Sequence, residues 1–118
     1  MVARVEIDMQ VRSVNGSIAV VSLDGEIDVY TSPKVKDFIG KLIDKGTYTF
    51  AIDLQNVRYI DSTGLGVLIG GLKRVREHGG AVTLVSTNPQ TRKIFDITGL
   101  IKVFDIYESV DDAVNALK

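Results

Sequence analysis

The sequence predicts an α/β fold in which a mixed sheet opens with an antiparallel hairpin and continues with parallel strands joined by crossover helices. Two observations lead to this prediction. Near the start, apolar and polar residues alternate with a period of two up to the turn dipeptide Asn15-Gly16, and a second apolar run follows. From residue 32 onwards, segments with helical spacing alternate with short apolar runs. The expected order is ββαβαβαβα, because strands connected through a helix pair in parallel with a right-handed crossover.

The first two strands form the predicted hairpin. One face of the first strand is apolar, made of Val5, Ile7, Met9 and Val11. The second strand covers residues 18–23, whose nearly continuous apolar run is typical of a buried strand. The segment Asp24–Asp28 is acidic and contains a glycine, so we expect it to be the loop that ends the second strand.

The first crossover helix is predicted to begin at Ser32-Pro33. The serine hydroxyl would cap the helix, and proline is tolerated in the first turn, where its missing N–H removes no hydrogen bond. The residues with the spacing of one buried helical face are Val35, Phe38, Ile39, Leu42 and Ile43. Gly46 is the expected stop. Residues 48–54 then form the third strand, which a short polar spacer follows.

The second half of the chain repeats this alternation of helix and strand. The expected elements are a helix over 65–75 that ends near 78–80, a strand over 81–86, a helix from Asn88-Pro89 to Gly99, a strand over 103–106 and a last helix capped by Ser109. We expect Ile94, Phe95 and Ile97 to point inward. The last helix has one apolar face, formed by Val110, Ala113, Val114 and Leu117.

Length and composition narrow the functional classes. The 118 residues suit one compact domain, predicted to span 1–118. The formal net charge of −1 supplies no basic field for nucleic acid or anionic lipid. The sequence contains no cysteine, no apolar run of the length that a membrane span needs and no signal-peptide pattern at its start. We therefore expect a cytoplasmic protein without a cofactor or metal, which binds neither nucleic acid nor membrane directly.

The stretch Tyr59–Gly66 is the candidate site. It places Asp61 and Ser62 where a strand leads into the first turn of a helix. A helix N-terminus offers unpaired backbone N–H groups and the positive end of the helix dipole. Such a position can hold a capping side chain, an anion or a phosphate group. Ser62 is an ordinary candidate for the cap; if Asp61 is the cap instead, the Ser62 hydroxyl stays free.

Three other roles for Ser62 follow from its surroundings. A hydrolase nucleophile is disfavoured, because position 60 lacks the glycine of a nucleophile elbow and His78 lies about 24 Å further along the helix. Nucleotide binding is weakly supported, because Gly64-Leu65-Gly66 lacks the third glycine of a dinucleotide site, although weak phosphate contact stays open. The third role is that of a phospho-acceptor, in which phosphorylation of Ser62 would add a charge of about −1.5 to −2. That charge is tolerated at a helix N-terminus but would repel a partner docked beside it.

The predicted helix after Ser62 is unusual in its glycines, which cost about 1 kcal/mol each relative to alanine. They are Gly64, Gly66, Gly70 and Gly71. On a helical wheel, Gly64 and Gly71 lie nearer the apolar side and are expected to fit the helix against the sheet. Gly66 and Gly70 lie on the opposite side with Thr63 and Val67. We predict a docking surface there, because a helix face without side chains lets another backbone come close.

Two segments of the sequence resemble the bacterial anti-sigma-factor antagonists, which are single STAS domains. They are residues 20–28, Val-Val-Ser-Leu-Asp-Gly-Glu-Ile-Asp, and residues 60–68, Ile-Asp-Ser-Thr-Gly-Leu-Gly-Val-Leu, and the similarity in length and element order extends over nearly the whole chain. The resemblance implies a binding protein rather than an enzyme. Unphosphorylated members bind an anti-sigma factor that is also a serine kinase, which frees the sigma factor, and a PP2C-type phosphatase reverses the phosphorylation.

The resemblance also implies roles for individual residues. The family's phosphorylated serine follows the aspartate of the second motif, which makes it Ser62 here. Asp24 and Asp28 match acidic positions near the kinase contact, while Asp61 is expected to cap the helix or orient its neighbours. Thr63 stands where many relatives have serine.

Other functions remain as alternatives. Relatives with the same domain also serve as scaffold subunits in stress-signalling assemblies. A phosphoaspartate receiver domain fits the length, and Asp53 would end a strand, but the opening hairpin, the missing acidic pair and the position of Lys102 disfavour it. A small hydrolase or nucleotide-binding enzyme using the Ser62 corner is the third alternative.

Overall fold

The computed structural model describes residues 6–118. Val5, which we predicted to lie in the first strand, is outside this range. The elements, in chain order, are β1 (Asp8–Val14), β2 (Ile18–Ile27), α1 (Ser32–Asp44), β3 (Thr49–Ile60), α2 (Ser62–Arg76), β4 (Ala81–Val85), α3 (Pro89–Ile97), a 3-10 turn (Leu100–Lys102), β5 (Asp105–Tyr107) and α4 (Val110–Asn115).

Within these residues the strands form one mixed sheet in the order β1-β2-β3-β4-β5. The β1–β2 pair is antiparallel and the three other pairs are parallel. The predicted fold class and element order are therefore confirmed, and the 3-10 turn before β5 is the one addition.

Two apolar clusters hold the sheet between its helices. The larger lies under α1, α2 and α3, where the fully buried Phe50, Phe95 and Phe104 contribute the most volume. The smaller lies on the opposite face under α4 and includes Val20 and Val85. The predicted apolar face of the last helix is confirmed, because Val110, Ala113, Val114 and Leu117 all pack in that smaller cluster.

Both central strands are longer than predicted. β2 continues to Ile27, so most of the expected Asp24–Asp28 loop is strand, and β3 continues to Ile60, so the expected polar spacer is strand as well. Pairing explains the error. The β2–β3 ladder continues across two irregularities, and Gly25, at φ +134°, lets the β2 backbone pass close to Glu6. Bulges break the period of two that a strand otherwise shows in sequence.

Two local predictions were wrong and two were confirmed. Thr31, rather than Ser32, occupies the N-cap position of α1, and Ser32 is buried as the first helical residue. Ile97 is 73% exposed, although Phe95 is fully buried as expected. The side chains of Asn88 and Ser109 cap α3 and α4 by accepting hydrogen bonds from backbone N–H groups two and three residues ahead.

Candidate functional site

The site is built where β2 and β3 end side by side. These strands are parallel, so their carboxyl ends lie at the same edge of the sheet. The Asp61 N–H donates a hydrogen bond of 3.0 Å to the Ile27 carbonyl oxygen just beyond the last ladder pair. The start of α2 and the loop that follows β2 are thereby held next to each other.

Asp61 caps α2. Its carboxylate oxygen Oδ1 accepts hydrogen bonds from the backbone N–H groups of Thr63 at 2.9 Å and Gly64 at 3.1 Å. The Thr63 hydroxyl donates to the same oxygen. Asp61 has an extended backbone, with φ −102° and ψ −173°, as N-cap residues typically do. The helix therefore begins at Ser62.

The charge of Asp61 is stabilised by these bonds. The hydrogen bond from the Thr63 hydroxyl is the largest cause that lowers the pKa of Asp61 below its ordinary value. Backbone N–H groups of Gly64, Thr63 and Val29 lower it further, while partial burial acts in the opposite direction. Asp61 is thus an anion at neutral pH and a fixed negative charge beside Ser62.

Ser62 is the first residue of α2, and it is exposed. Its hydroxyl makes no hydrogen bond with any residue that the structure describes. The neighbouring Thr63 hydroxyl is also exposed, but it is bound to Asp61. Of the two adjacent hydroxyls, the one on Ser62 is therefore free to react.

Asp28 lies in the adjoining loop and organises it. One carboxylate oxygen accepts hydrogen bonds from the N–H groups of Tyr30 at 2.9 Å and Thr31 at 3.0 Å. The Thr31 hydroxyl donates to the Glu26 carbonyl oxygen at 2.7 Å. Asp28 thus shapes the turn from β2 into α1, while its second carboxylate oxygen adds negative charge at the sheet edge that it shares with Asp61.

The structure separates Asp24 from this corner. Along β2, Leu23, Gly25 and Ile27 are buried on the side of α1 and α2, so the intervening Asp24 points to the opposite face of the sheet. There its carboxylate forms an exposed salt bridge of 3.5 Å with Arg58. Asp24 and Asp28, which the sequence grouped together, therefore lie in different surroundings.

The four glycines of α2 fall into the two predicted pairs. A Cβ added at Gly64 would lie 2.6 Å from Ile27 Cγ2, and one at Gly71 would contact Ile39 Cγ2 at 3.6 Å. Apart from the adjacent residues and the backbone of α2 itself, a Cβ at Gly66 or Gly70 would have no atom of residues 6–118 within 4 Å. Val67, predicted to share the open face, is half-buried and packs against the core at the border with α1.

Three exposed apolar side chains near the corner were missed by the sequence analysis. Val29 is 57% exposed and Tyr30 82% exposed in the loop that Asp28 shapes, and Tyr59 is 50% exposed just before the corner. The available signal was the pair of aromatic residues, because Tyr30 follows the end of β2 and Tyr59 lies next to the end of β3. These side chains add exposed apolar surface near the edge where β2 and β3 end.

The same geometry disfavours the enzymatic and receiver alternatives. His78 lies beyond the far end of α2, stacked on the Tyr48 ring at a centroid distance of 4.1 Å, and so cannot serve Ser62 as a base. Asp53 does not end its strand as predicted; it lies inside β3, where its carboxylate accepts a hydrogen bond from the Gln55 N–H. No cluster of potential metal ligands occurs in residues 6–118. Over the same residues no helix has the length and apolarity to cross a bilayer.

Both the sequence and the fold of this chain are similar to those of known proteins. Residues 9–113 match the model of the STAS domain. Over 86 residues the chain is 41% identical to the anti-sigma-B factor antagonist of Bacillus subtilis, covering 73% of this chain and 78% of that protein. An anti-sigma factor antagonist from Mycobacterium paratuberculosis superimposes with a TM-score of 0.86 at 33% identity, covering 94% of this chain and 93% of that one. The phosphorylated form of SpoIIAA from Bacillus has the same fold, with a TM-score of 0.73 at 22% identity, covering 94% of this chain and all of that one.

Proposed function

The chain belongs to the STAS-domain family of anti-sigma-factor antagonists, and on that basis we propose that it is a phosphorylation-controlled binding protein. In its unphosphorylated form it binds an anti-sigma factor in the cytoplasm, and the bound anti-sigma factor releases its sigma factor. The anti-sigma factor is also the serine kinase that phosphorylates Ser62. A PP2C-type phosphatase removes the phosphate and restores binding. The protein itself catalyses no reaction.

One observation carries this proposal: the exposed, unbonded hydroxyl of Ser62 stands at the first position of α2, beside the open face at Gly66 and Gly70. A kinase needs an accessible hydroxyl, and Thr63 is the poorer candidate because its hydroxyl is bound to Asp61. The phosphorylated form of SpoIIAA, which shares the fold, supports a modification of this kind.

The position of Ser62 also decides how a phosphate would act. At the N-terminus of α2 a negative group gains about 0.3–1 kcal/mol from the helix dipole, so phosphorylation leaves the domain folded. For a partner that docks at this corner, the same charge is unfavourable. Together with the carboxylates of Asp61 and Asp28, the phosphate raises the negative charge that a docked partner must desolvate. The switch therefore works by blocking the partner.

The partner-binding surface is assigned to the side of α2 that the core leaves open. Gly66 and Gly70 let a partner approach the backbone, and Val67 supplies an apolar contact at the border of this face. Asp28, Asp61 and Thr63 form its polar rim at the corner. The exposed Tyr30 extends it with a kind of side chain that often carries binding energy in interfaces, and Val29 adds apolar area beside it. Asp24 has a minor part, because it lies on the opposite face of the sheet.

Two Ser62 variants test the switch. Ser62→Ala is expected to fold and to bind its anti-sigma factor as the unphosphorylated protein does, without being phosphorylated. Ser62→Asp is expected to fold but to bind about 100-fold more weakly, a loss of roughly 3 kcal/mol. Affinities are measured by titration calorimetry against each serine-kinase anti-sigma factor encoded in the same genome, purified separately.

Ser17→Asp is the matched control, because Ser17 is an exposed serine in the β1–β2 turn, away from α2. It adds the same charge and is expected to leave the affinity unchanged. Equal affinities for Ser62→Asp and Ser62→Ala would remove Ser62 from the switch. Turnover of esters or nucleotides that is lost in Ser62→Ala would show an enzyme instead.

A further inference from the structure

A groove between α1 and α2 lies beside the proposed binding face. Its volume is about 300 Å³. The lining residues are Lys36, Ile39, Gly40 and Ile43 from α1, and Val67, Gly70, Gly71, Lys73 and Arg74 from α2. The groove is therefore formed by two helices of the same chain, and it continues the open face towards the C-terminal end of α2.

The floor of the groove is apolar and its α2 side is bare. Ile39 and Ile43 are each only 3% exposed, and Val67 lies half-buried next to them. Gly70 is exposed, and a Cβ there would have no neighbour within 4 Å in the described part of the chain. An apolar side chain from outside can thus reach the isoleucines across Gly70 without displacing any side chain of this protein.

The rim of the groove is positively charged. Lys36 and Lys73 are exposed, and neither forms a salt bridge with a residue between 6 and 118. Arg74 differs, because its guanidinium crosses Gly40 and pairs with Asp44 at 2.9 Å. A Cβ at Gly40 would lie 3.3 Å from Arg74 Nη1, so glycine gives the guanidinium room at this crossing. Two lysines remain for a ligand.

The open side of α2 therefore carries opposite charges at its two ends. The N-terminal corner has the carboxylates of Asp61 and Asp28, and the groove has Lys36 and Lys73. Gly70 lies eight residues after Ser62, which is about 12 Å along the helix axis. A partner that covers both ends needs positive groups at the corner and negative groups at the groove, so these charges fix the direction in which the partner lies.

We propose that this groove receives an acidic amphipathic helix of the anti-sigma partner. An apolar residue of that helix crosses Gly70 onto Ile39 and Val67, and its flanking carboxylates bind Lys36 and Lys73. Helices dock in apolar grooves in this manner, with side chains spaced three or four residues apart as anchors. The proposal rests on the function proposed above and adds the chemistry and orientation of the partner.

A pair of designed peptides tests the groove without the natural partner. Both are helical 14-residue peptides with leucines on one face; one carries glutamates and the other lysines beside that face. We expect the acidic peptide to shift the amide resonances of Val67, Gly70 and Gly71 in ¹⁵N spectra of the intact chain. The double variant Lys36→Glu/Lys73→Glu should weaken that peptide at least about tenfold and should favour the basic peptide.

The double variant Lys93→Glu/Lys102→Glu is the matched control. It makes the same charge change at two exposed lysines on α3 and the 3-10 turn, outside the groove. Its affinity for the acidic peptide should stay within about twofold of the parent. The groove assignment is overturned if the acidic peptide does not bind at millimolar concentration, if both peptides bind equally, or if the two double variants behave alike.

Binding of the anti-sigma factor separates this inference from the proposed function. In a Ser62→Ala background, Lys36→Glu/Lys73→Glu should lower the affinity for the factor at least about tenfold and reduce its salt dependence, while Lys93→Glu/Lys102→Glu should not. If the Ser62→Ala protein binds the factor and both double variants bind it equally, the groove assignment fails and the proposed function stands. If no factor binds Ser62→Ala, the proposed function fails, and so does the partner named here.

Discussion

The two sides of α2 use glycine for opposite reasons. On the buried side, Gly64 faces Ile27 and Ile60, and a Cβ would lie 2.6 Å from one and 2.7 Å from the other. On the open side, a Cβ at Gly66 or Gly70 would meet no atom within 4 Å among the residues described, other than adjacent residues and the backbone of α2 itself. Both sides belong to the same fifteen-residue helix and bear the same helix-propensity cost.

This difference separates what the fold requires from what it only permits. Packing against β2 and β3 accounts for Gly64, because no larger residue fits between the two isoleucines. Nothing in residues 6–118 accounts for Gly66 and Gly70, where alanine would be accommodated and would stabilise the helix. The docking of a partner on this face, as proposed above, would explain why both positions are glycine.

Replacing Gly64 tests the packed side and has the largest expected effect. Gly64→Ala should lower the free energy of unfolding by about 1–3 kcal/mol, because the methyl group forces Ile27 or Ile60 out of position. Urea unfolding followed by circular dichroism measures the change. A variant as stable as the parent would show that the contacts at Gly64 relax freely and that the comparison of the two sides is wrong.

Replacing Gly66 tests the open side, where the expected change in the free energy of unfolding has the opposite sign. Gly66→Ala should raise the free energy of unfolding by about 1 kcal/mol, because alanine favours the helix and meets no neighbour. The same variant should bind the anti-sigma factor more weakly than the parent. The pair of results, higher stability with lower affinity, is measured by urea unfolding and titration calorimetry on one preparation. Higher stability with unchanged affinity would leave the open side without a role in binding.

Removing the charge of Asp61 sharpens the comparison at the helix start and has the smallest expected effect. Asn caps helices as well as Asp, so Asp61→Asn should cost less than about 1 kcal/mol at pH 7. Because folding lowers the pKa of Asp61, its charge stabilises the protein above the unfolded value of about 3.9, and this contribution disappears as the pH falls through the folded pKa. The stability difference between parent and variant should therefore shrink below about pH 4.

Thermal unfolding of both proteins between pH 7 and pH 3 measures this difference. A gap that stays constant over the whole range would mean that the Asp61 charge does not contribute and that only the cap geometry matters.

Local patterns were enough to predict most of the fold. The hairpin follows from the alternation before Asn15-Gly16, and the helices follow from their apolar spacing and capping residues. The ends of β2 and β3 could not be predicted, because pairing across bulges, rather than any local pattern, keeps residues 24–27 and 55–60 in the sheet. Ile97 shows a similar limit. It lies about 200° around the helix from the buried Phe95, which places it on the exposed side. The expectation that it would be buried rested on its apolar character alone.

The candidate site was predictable where it depends on adjacent residues. The strand that leads into a helix predicted a cap at either Ser62 or Asp61, and the structure selects Asp61, which leaves the Ser62 hydroxyl free. The separation of Asp24 from Asp28 depends on which face of β2 each side chain takes, and the Asp24–Arg58 pair depends on the register with β3. The groove at Lys36 and Lys73 requires the packing of α1 on α2, which no single segment specifies.

Four glycines make α2 a helix that could not persist by itself, since their combined cost is about 4 kcal/mol relative to alanine. The helix is stabilised by packing, because four of its apolar side chains are buried against the sheet: Leu65, Leu68, Leu72 and Val75. A nascent or heat-damaged copy of the chain would lose this helix together with its core. Such copies would lose the open face at Gly66 and Gly70 as well, so the proposed binding of an anti-sigma factor requires an intact core.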